Sequence, residues 1–374
     1  MVNEKYKALL EPFDLPNGVQ LKNRVIMAPM TNYSSNSDGT VSDDEVNYYI
    51  HRSKGVSMVI TACTYVTPNG QGFTGEFAGH TDEMIPSLRR LATAIKDEGS
   101  KAILQIFHGG RQVPADIAPN GDVVSASPVP YPGEGKPVPR ELTAAEVEDI
   151  IVDFGQTTRR AIEAGYDGVE IHGANTYLIQ QFFSPHSNRR TDRFGGSLEK
   201  RMTFPLAVVD EVQRVVKEHA KTAFIVGYRF SPEEPETPGI TMSDTLVLIN
   251  ELANKNLAYL HVSLMDFWST PKRGVEDTRS RIEIIQDTVG ERVPVIGVGS
   301  IYTAEDARKA LTSGVPLIGL GRGLLIDPDW VQKIEQGREE EIVTELNINN
   351  QQELVMPDPL WQRIINNPGW VPGV

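Results

Sequence analysis

Eight apolar strand-like runs, each followed by a helical pattern, predict an α/β fold: a single (β/α)8 barrel of the TIM type over residues 1–374. Three observations carry this. The alternation of the two periods continues along the chain with one long break. The C-terminal ends of the strands collect polar residues and glycines. A doubly wound open sheet, the alternative, would need a glycine-rich turn after the first strand, where Ala28-Pro-Met-Thr31 stands instead.

Taken in order, Leu15-Pro-Asn-Gly-Val-Gln-Leu21 places Asn-Gly between extended segments, which signals a β-hairpin serving as a lid on the closed end of the barrel. Strand and helix patterns follow in pairs: Val25–Met30 with Asp43–Lys54, Met58–Val66 with Asp82–Glu98, and Ala102–His108 with Thr143–Ala164. Val169–His172 precedes Leu198–Glu218, Phe224–Phe230 precedes Ser243–Asn256, and Tyr259–Leu264 precedes Val275–Thr288. Pro294–Val298 with Thr303–Thr312 and Leu317–Leu320 with Pro328–Gln336 complete the set. Ser42-Asp-Asp-Glu45 and Thr143-Ala-Ala-Glu146 are capping boxes, and Thr303-Ala-Glu-Asp306 is a close relative. After the third strand, Gly109 to Arg140 forms a long loop insertion rich in Pro and Gly, of the kind that covers a site. The tail from about residue 340, rich in Pro and Trp beyond Val355, is expected to dock on the barrel or on a partner subunit. Trp361, Arg363 and Trp370 are its candidates for a contact between subunits in a homo-oligomer.

Composition limits the function. A formal net charge of −14 and the lack of a basic run argue against a nucleic-acid partner. No apolar run approaches a membrane span, and Met1-Val-Asn-Glu-Lys is not followed by a signal-peptide core, so a cytoplasmic location is the default expectation. The one cysteine, Cys63, excludes an internal disulfide and a cysteine-only cluster or zinc site. Any phosphate must be held by local arginines and backbone N–H groups.

The chain is organised around Asp167 to Phe183. Asp167-Gly-Val-Glu-Ile-His172 alternates apolar and polar residues with the period of a strand, so Glu170 and His172 share one face. Asn175 and Tyr177 follow the break at Gly173, and one strand end therefore offers an imidazole, a carboxamide and a phenol. Such a set can hold a polarised oxygen and protonate a neighbouring atom; a satisfied polar turn is the alternative reading. No second histidine stands at ligand spacing from His172, so no metal is expected. Gln105 in the third strand offers an amide either to a pyrimidine-like edge or to the next strand, and Arg229 in the fifth needs either a ligand acceptor or an acidic partner. Gly297-Val-Gly-Ser300 and Gly319-Leu-Gly-Arg-Gly323 end the last two strands, where barrels commonly bind phosphate.

Residues 172–178 (His-Gly-Ala-Asn-Thr-Tyr-Leu), 181–185 (Gln-Phe-Phe-Ser-Pro), 188–197 (Asn-Arg-Arg-Thr-Asp-Arg-Phe-Gly-Gly-Ser) and the Arg201 region, in this order, resemble the Old Yellow Enzyme family. These are FMN-dependent ene-reductases and NADH:flavin oxidoreductases, and the likeness runs from Phe13 to Gly321. The resemblance implies non-covalent FMN, NAD(P)H as the electron donor, and an α,β-unsaturated carbonyl compound reduced in a ping-pong cycle. Ala28, Pro29, Met30 and Thr31 would run along the flavin, Ala62 would leave room for its ring, and Gln105, His172 and Arg229 would face its polar edge. Gly299, Ser300, Gly321 and Arg322 would hold the phosphate. His172 and Asn175 would bind the substrate oxygen, Tyr177 would protonate the α-carbon, and Tyr33 would line the pocket. Some relatives have His where Asn175 stands, and either can donate a hydrogen bond. A flavin-free phosphate-binding barrel acting as isomerase or lyase, and a flavin-binding protein without turnover, are the alternatives.

Overall fold

The structure, a computed structural model, describes residues 2–374. Eight parallel strands close into a barrel: β1 (Val25–Met27), β2 (Met58–Tyr65), β3 (Lys101–Phe107), β4 (Gly168–Gly173), β5 (Ile225–Phe230), β6 (Tyr259–Val262), β7 (Val295–Val298) and β8 (Leu317–Leu320). Each pairs with its sequence neighbours, and β1 pairs with both β8 and β2 to close the ring. The helices α1 (Asp43–Ser53), α2 (Ile85–Asp97), α3 (Ala144–Ala164), α4 (Thr203–His219), α5 (Met242–Ala253), α6 (Arg281–Val289), α7 (Ala304–Thr312) and α8 (Trp330–Glu335) alternate with the strands. The barrel is therefore the fold that the alternation of periods predicts.

Side-chain alternation divides each strand between two environments. Val59, Leu104, Val169, Ile171, Leu260 and Ile318 join the large core shared with the helices. Ile26, Ile60, Ile103, Ile225, Ile296 and Leu317 form a separate apolar cluster with the hairpin residues Leu15 and Leu21. That hairpin pairs Phe13–Asp14 antiparallel with Gln20–Leu21, turning at Gly18 with φ 83°. Asn17 Nδ2 donates to Phe224 O at 3.0 Å, which fixes the hairpin over the N-terminal ends of the strands. Water is thus excluded from the barrel floor, and the polar side chains gather at the opposite end.

The capping boxes at Ser42–Glu45, Thr143–Glu146 and Thr303–Asp306 are all formed. The sixth helix differs from expectation: it begins at Arg281 rather than Val275, because Ser280 caps it through a reciprocal bond with Glu283. Short helices at Leu178–Phe183 and Arg322–Ile326, and α9 (Asp358–Ile365) in the tail, carry no clear sequence signal. The insertion forms a two-residue parallel bridge between Val124–Ser125 and Arg140–Glu141. Gln181 Oε1 accepts from Arg111 N at 3.0 Å and from Ser125 Oγ at 2.8 Å, tying the insertion to the helix after β4.

The tail lies on its own barrel. Leu360, Trp361 and Ile364 enter the main core, and Arg52 Nη2 donates to Leu354 O at 2.7 Å. No helix among the described residues is long and apolar enough to cross a membrane.

Inside the barrel, Gly227 makes room for the buried ring of Tyr259: a Cβ there would lie 2.1 Å from Tyr259 Cζ. Gly227→Ala should therefore destabilise the protein by about 1–3 kcal/mol through overpacking. Urea unfolding of the variant measures this, and an unchanged midpoint would show that the interior has slack.

Candidate active site

The C-terminal ends of the strands surround a cavity of about 410 Å³. Ala28, Pro29, Met30, Thr31 and Tyr33, which follow β1, form one wall. Gly299, Ser300, Gly321 and Arg322, which follow β7 and β8, form another, and Asn175 and Arg229 complete it from the side. Most of the residues singled out from the sequence are thus brought together.

Backbone geometry shapes the β7–β8 wall. Gly299 has φ 139°, where a Cβ would lie 2.5 Å from Phe267 N, so only glycine allows this close approach. Ser300 is left-handed at φ 50°, and its Oγ donates to Met265 O at 2.7 Å. Arg322 Nη2 donates to Ser300 Oγ at 2.8 Å, while Nη1 donates to Trp370 O at 2.9 Å. The guanidinium is held at the rim by neutral oxygens, so its charge is available to an anion.

Gln105, Ala62, His172 and Tyr177 do not line this cavity. Gln105, Glu170, His172, Arg229 and His261 are all buried, and the strand register sets Gln105 opposite Glu170 and Arg229 opposite both His172 and His261. Gln105 Nε2 donates to Glu170 Oε1 at 2.7 Å, a bond to the next strand that uses one of its amide hydrogens. His261 Nδ1 lies 2.9 Å from the other carboxylate oxygen. Burial opposes the charge on Glu170, but His261, Arg229 and Gln105 together hold its carboxyl below the usual range. Burial lowers the Arg229 pKa, while Glu170 opposes that shift. Arg229 Nη2 donates to Ser263 Oγ at 3.2 Å, and its buried Nε has no partner among the described residues. No ion pair to Arg229 occurs among the described residues, which leaves a desolvated cation facing the cavity with an unused donor.

The turn after β4 is the most constrained segment of the site. Asn175 and Thr176 are both left-handed, at φ 56° and 62°, a conformation that costs a β-branched residue most. Thr176 N donates to Gln180 Oε1 at 2.9 Å, and Asn175 N to Ser231 Oγ at 2.9 Å. Gln112 Nε2 donates to Asn175 O at 2.9 Å and to Thr176 Oγ1 at 2.7 Å, and Gln181 Nε2 to Thr176 O at 2.7 Å. Gln180 is itself anchored on the buried Glu234 at 2.8 Å. Ser263 Oγ donates to Asn175 Oδ1 at 2.7 Å, which fixes the carboxamide with Nδ2 as its remaining donor.

His172 Nδ1 accepts from Ala174 N at 3.2 Å, so in the neutral ring the proton sits on Nε2. Burial, then Arg229 and His261, push its pKa well below the ordinary imidazole value. Tyr177 stands edge-on to His172 at 5.0 Å and to Phe107 at 4.9 Å between ring centroids. Burial, then Cys63 and Glu76, push its phenol well above the usual range, so it stays protonated. Thr31 Oγ1 lies 3.9 Å from the buried Cys63 Sγ. The orphaned Arg229 Nε, the glycine-walled rim and the neutral donors beside them fit a planar, hydrogen-bonding ligand that ends in a phosphate.

Met265 lines the cavity, as the sequence of 265–270 suggests for its outer wall, and Trp370, expected at a subunit contact, lines it too; Ser263 and Tyr302 also line it and were not singled out from the sequence. Alternation through Tyr259, His261 and Ser263 places the serine inward, and that is the one signal that could have found it.

The model of the NADH:flavin oxidoreductase / NADH oxidase family matches residues 8–341. The chain is 53% identical over 371 residues to a probable NADH-dependent flavin oxidoreductase of Bacillus subtilis, YqiG, covering 99% of each chain. It is 44% identical over 360 residues to an NADH:fumarate oxidoreductase of Klebsiella pneumoniae, covering 95% of this chain and 38% of that protein. Among solved structures, an old yellow enzyme homologue from Zymomonas mobilis superposes with a TM-score of 0.77 at 26% identity, covering 88% of this chain and 93% of that one.

The site predicts a neutral His172. Nitrogen-15 NMR of the imidazole should show an Nε2–H tautomer unchanged between about pH 6 and 8. A titration midpoint near the ordinary imidazole value would contradict the hydrogen-bond assignment.

Proposed function

The chain belongs to the NADH:flavin oxidoreductase / NADH oxidase family, and from that premise we propose that it uses FMN and NAD(P)H to reduce the activated C=C bond of α,β-unsaturated carbonyl compounds. Flavin-dependent oxidation of a reduced nicotinamide is the coarser part of this reading and follows from the family and its NADH-dependent members. The observation that carries the finer part is the juxtaposition of Arg229, buried with an unpartnered Nε, and a pair of neutral donors, His172 and Asn175, fixed by their own hydrogen bonds.

In this reading FMN is held without a covalent link. Arg322, Ser300, Gly299 and Gly321 would take its single phosphate at the rim, the backbone from Ala28 to Thr31 would support the ring, and Arg229 would face the edge that gains negative charge. Bound FMN supplies hydride acceptance from NAD(P)H and hydride donation to the β-carbon of the acceptor. His172 Nε2–H and Asn175 Nδ2–H hold the acceptor's carbonyl oxygen, and these bonds strengthen as the oxygen becomes anionic, which stabilises the transition state more than the bound substrate. Tyr177, kept protonated by its burial, gives its proton to the α-carbon. One cavity serves both partners, so the oxidised nicotinamide leaves before the acceptor enters, a ping-pong order. The Klebsiella relative is named for fumarate, whose C=C bond is likewise conjugated to carboxyl groups.

The test separates the two half-reactions in a stopped-flow spectrophotometer. Anaerobic NADH or NADPH should bleach the yellow enzyme, and cyclohexenone should restore the colour. Tyr177→Phe should bleach within a few-fold of the wild-type rate, while reoxidation by cyclohexenone slows by ~10²–10⁴-fold. Oxygen, which needs no proton on carbon, should reoxidise the variant at near the wild-type rate. Unchanged enone reoxidation in the variant would remove Tyr177 from the role of acid, and a wild-type enzyme that reoxidises only with oxygen would overturn the enone reading.

A further inference from the structure

Arg363 is a cation at the mouth of this site that no group among the described residues neutralises. It stands exposed on α9 with its guanidinium 4.4 Å from the ring centroid of Tyr33, and it makes no hydrogen bond or ion pair among the described residues. Stacking on Tyr33 holds the guanidinium in place without consuming its donors. It borders a second cavity, of about 620 Å³, lined also by Gln362, Asn366 and Asn367. That cavity meets the first along Tyr33 and Trp370, which line both.

The charge distribution is selective. The chain carries 50 Asp and Glu against 36 Lys and Arg, yet among the described residues no carboxylate lines either cavity, whereas Arg229, Arg322 and Arg363 do. Arg229 and Arg322 are accounted for by the flavin in the reading above. Arg363 is left over, together with the side-chain amides of Gln362 and Asn367 and that of Asn366, whose Nδ2 donates to Gln362 O at 2.8 Å and, at 3.4 Å, to Gln362 Oε1.

We propose that Arg363 and the amides of Gln362, Asn366 and Asn367 form an anion subsite that holds the diphosphate of the nicotinamide dinucleotide whose nicotinamide enters the first cavity. The inference rests on the FMN and NAD(P)H reading. Position favours a dinucleotide over a small acceptor, because the second cavity continues from the first along Tyr33 and Trp370 and gives a long ligand room beyond it. A guanidinium flanked by amides also suits a ligand with several charged oxygens in a row.

The test uses the holoenzyme and tetrahydro-NAD, a dinucleotide that binds but cannot give up hydride, with its dissociation constant read by calorimetry and by perturbation of the flavin absorbance. Arg363→Ala, at an exposed position without hydrogen bonds, should raise that constant on the order of 10-fold or more, and Arg363→Lys should recover part of the loss. The difference should shrink as salt is added. N-methyl-tetrahydronicotinamide, which has no phosphate, should bind wild type and Arg363→Ala equally. If tetrahydro-NAD binding is unchanged while a carboxylate-bearing enone, but not its methyl ester, is weakened, the diphosphate assignment is overturned and the subsite belongs to the acceptor. Equal affinities for every ligand, or an equal loss for the phosphate-free analogue, would overturn the anion subsite altogether. Loss of wild-type bleaching by NADH and NADPH would instead sink the functional reading, and it is seen in a separate assay.

Discussion

A carboxylate with no access to water sits inside the barrel, and the polar half of the interior is arranged around it. Glu170 remains ionised because Gln105 and His261 each occupy one oxygen and Arg229 supplies a positive field from the adjacent strand. The dependence is mutual. A desolvated guanidinium without an ion pair is tolerable only beside a compensating charge, and removing one partner from such a group typically costs about 3–5 kcal/mol. Glu170 also orients His261 through Nδ1, and the positive field of Arg229 helps keep His172 neutral. The cation that faces the cavity, Arg229, is therefore supported by a carboxylate that does not line it.

This arrangement requires a dry floor and an open top, and the fold supplies both. Isoleucines from most of the strands and the hairpin's Leu15 and Leu21 close one end. At the other end, glycines at 299 and 321 and the left-handed Ser300 let the backbone come close to a ligand. The left-handed pair Asn175–Thr176 is stabilised by Gln112, Gln180 and Gln181. Because Gln181 also binds the insertion after β3, and Gln180 binds Glu234 beyond β5, three separate segments converge on one turn. The tail completes the rim through Trp370 and Arg363 rather than standing free.

Much of this was legible in the sequence because it depends on local periods. Alternation in 167–172 is enough to put Glu170 and His172 on one face, and capping residues give the starts of α1, α3 and α7. The start of α6 was misplaced because apolar spacing begins at Val275, whereas the Ser280–Glu283 box decides the boundary. What the sequence could not show are pairings set by register between strands. Nothing in the chain says that Gln105 lies opposite Glu170, or that His261 reaches the same carboxylate from the far side of β5. The Trp- and Pro-rich tail reads as a docking segment, but its surface is defined by a three-dimensional neighbour, Tyr33, more than three hundred residues earlier in the sequence.

The most direct test of this electrostatic account is the two-electron midpoint potential of the bound flavin in the wild type and in Glu170→Gln, measured by spectroelectrochemical titration at pH 7. The substitution keeps the shape of the buried side chain and removes its charge, so the field of Arg229 at the cavity is no longer offset. Reduced flavin gains negative charge, and its potential should rise by tens of millivolts, at about 30 mV for each 1.4 kcal/mol of added stabilisation. A potential that is unchanged or falls would show that Glu170 does not govern the charge at the site.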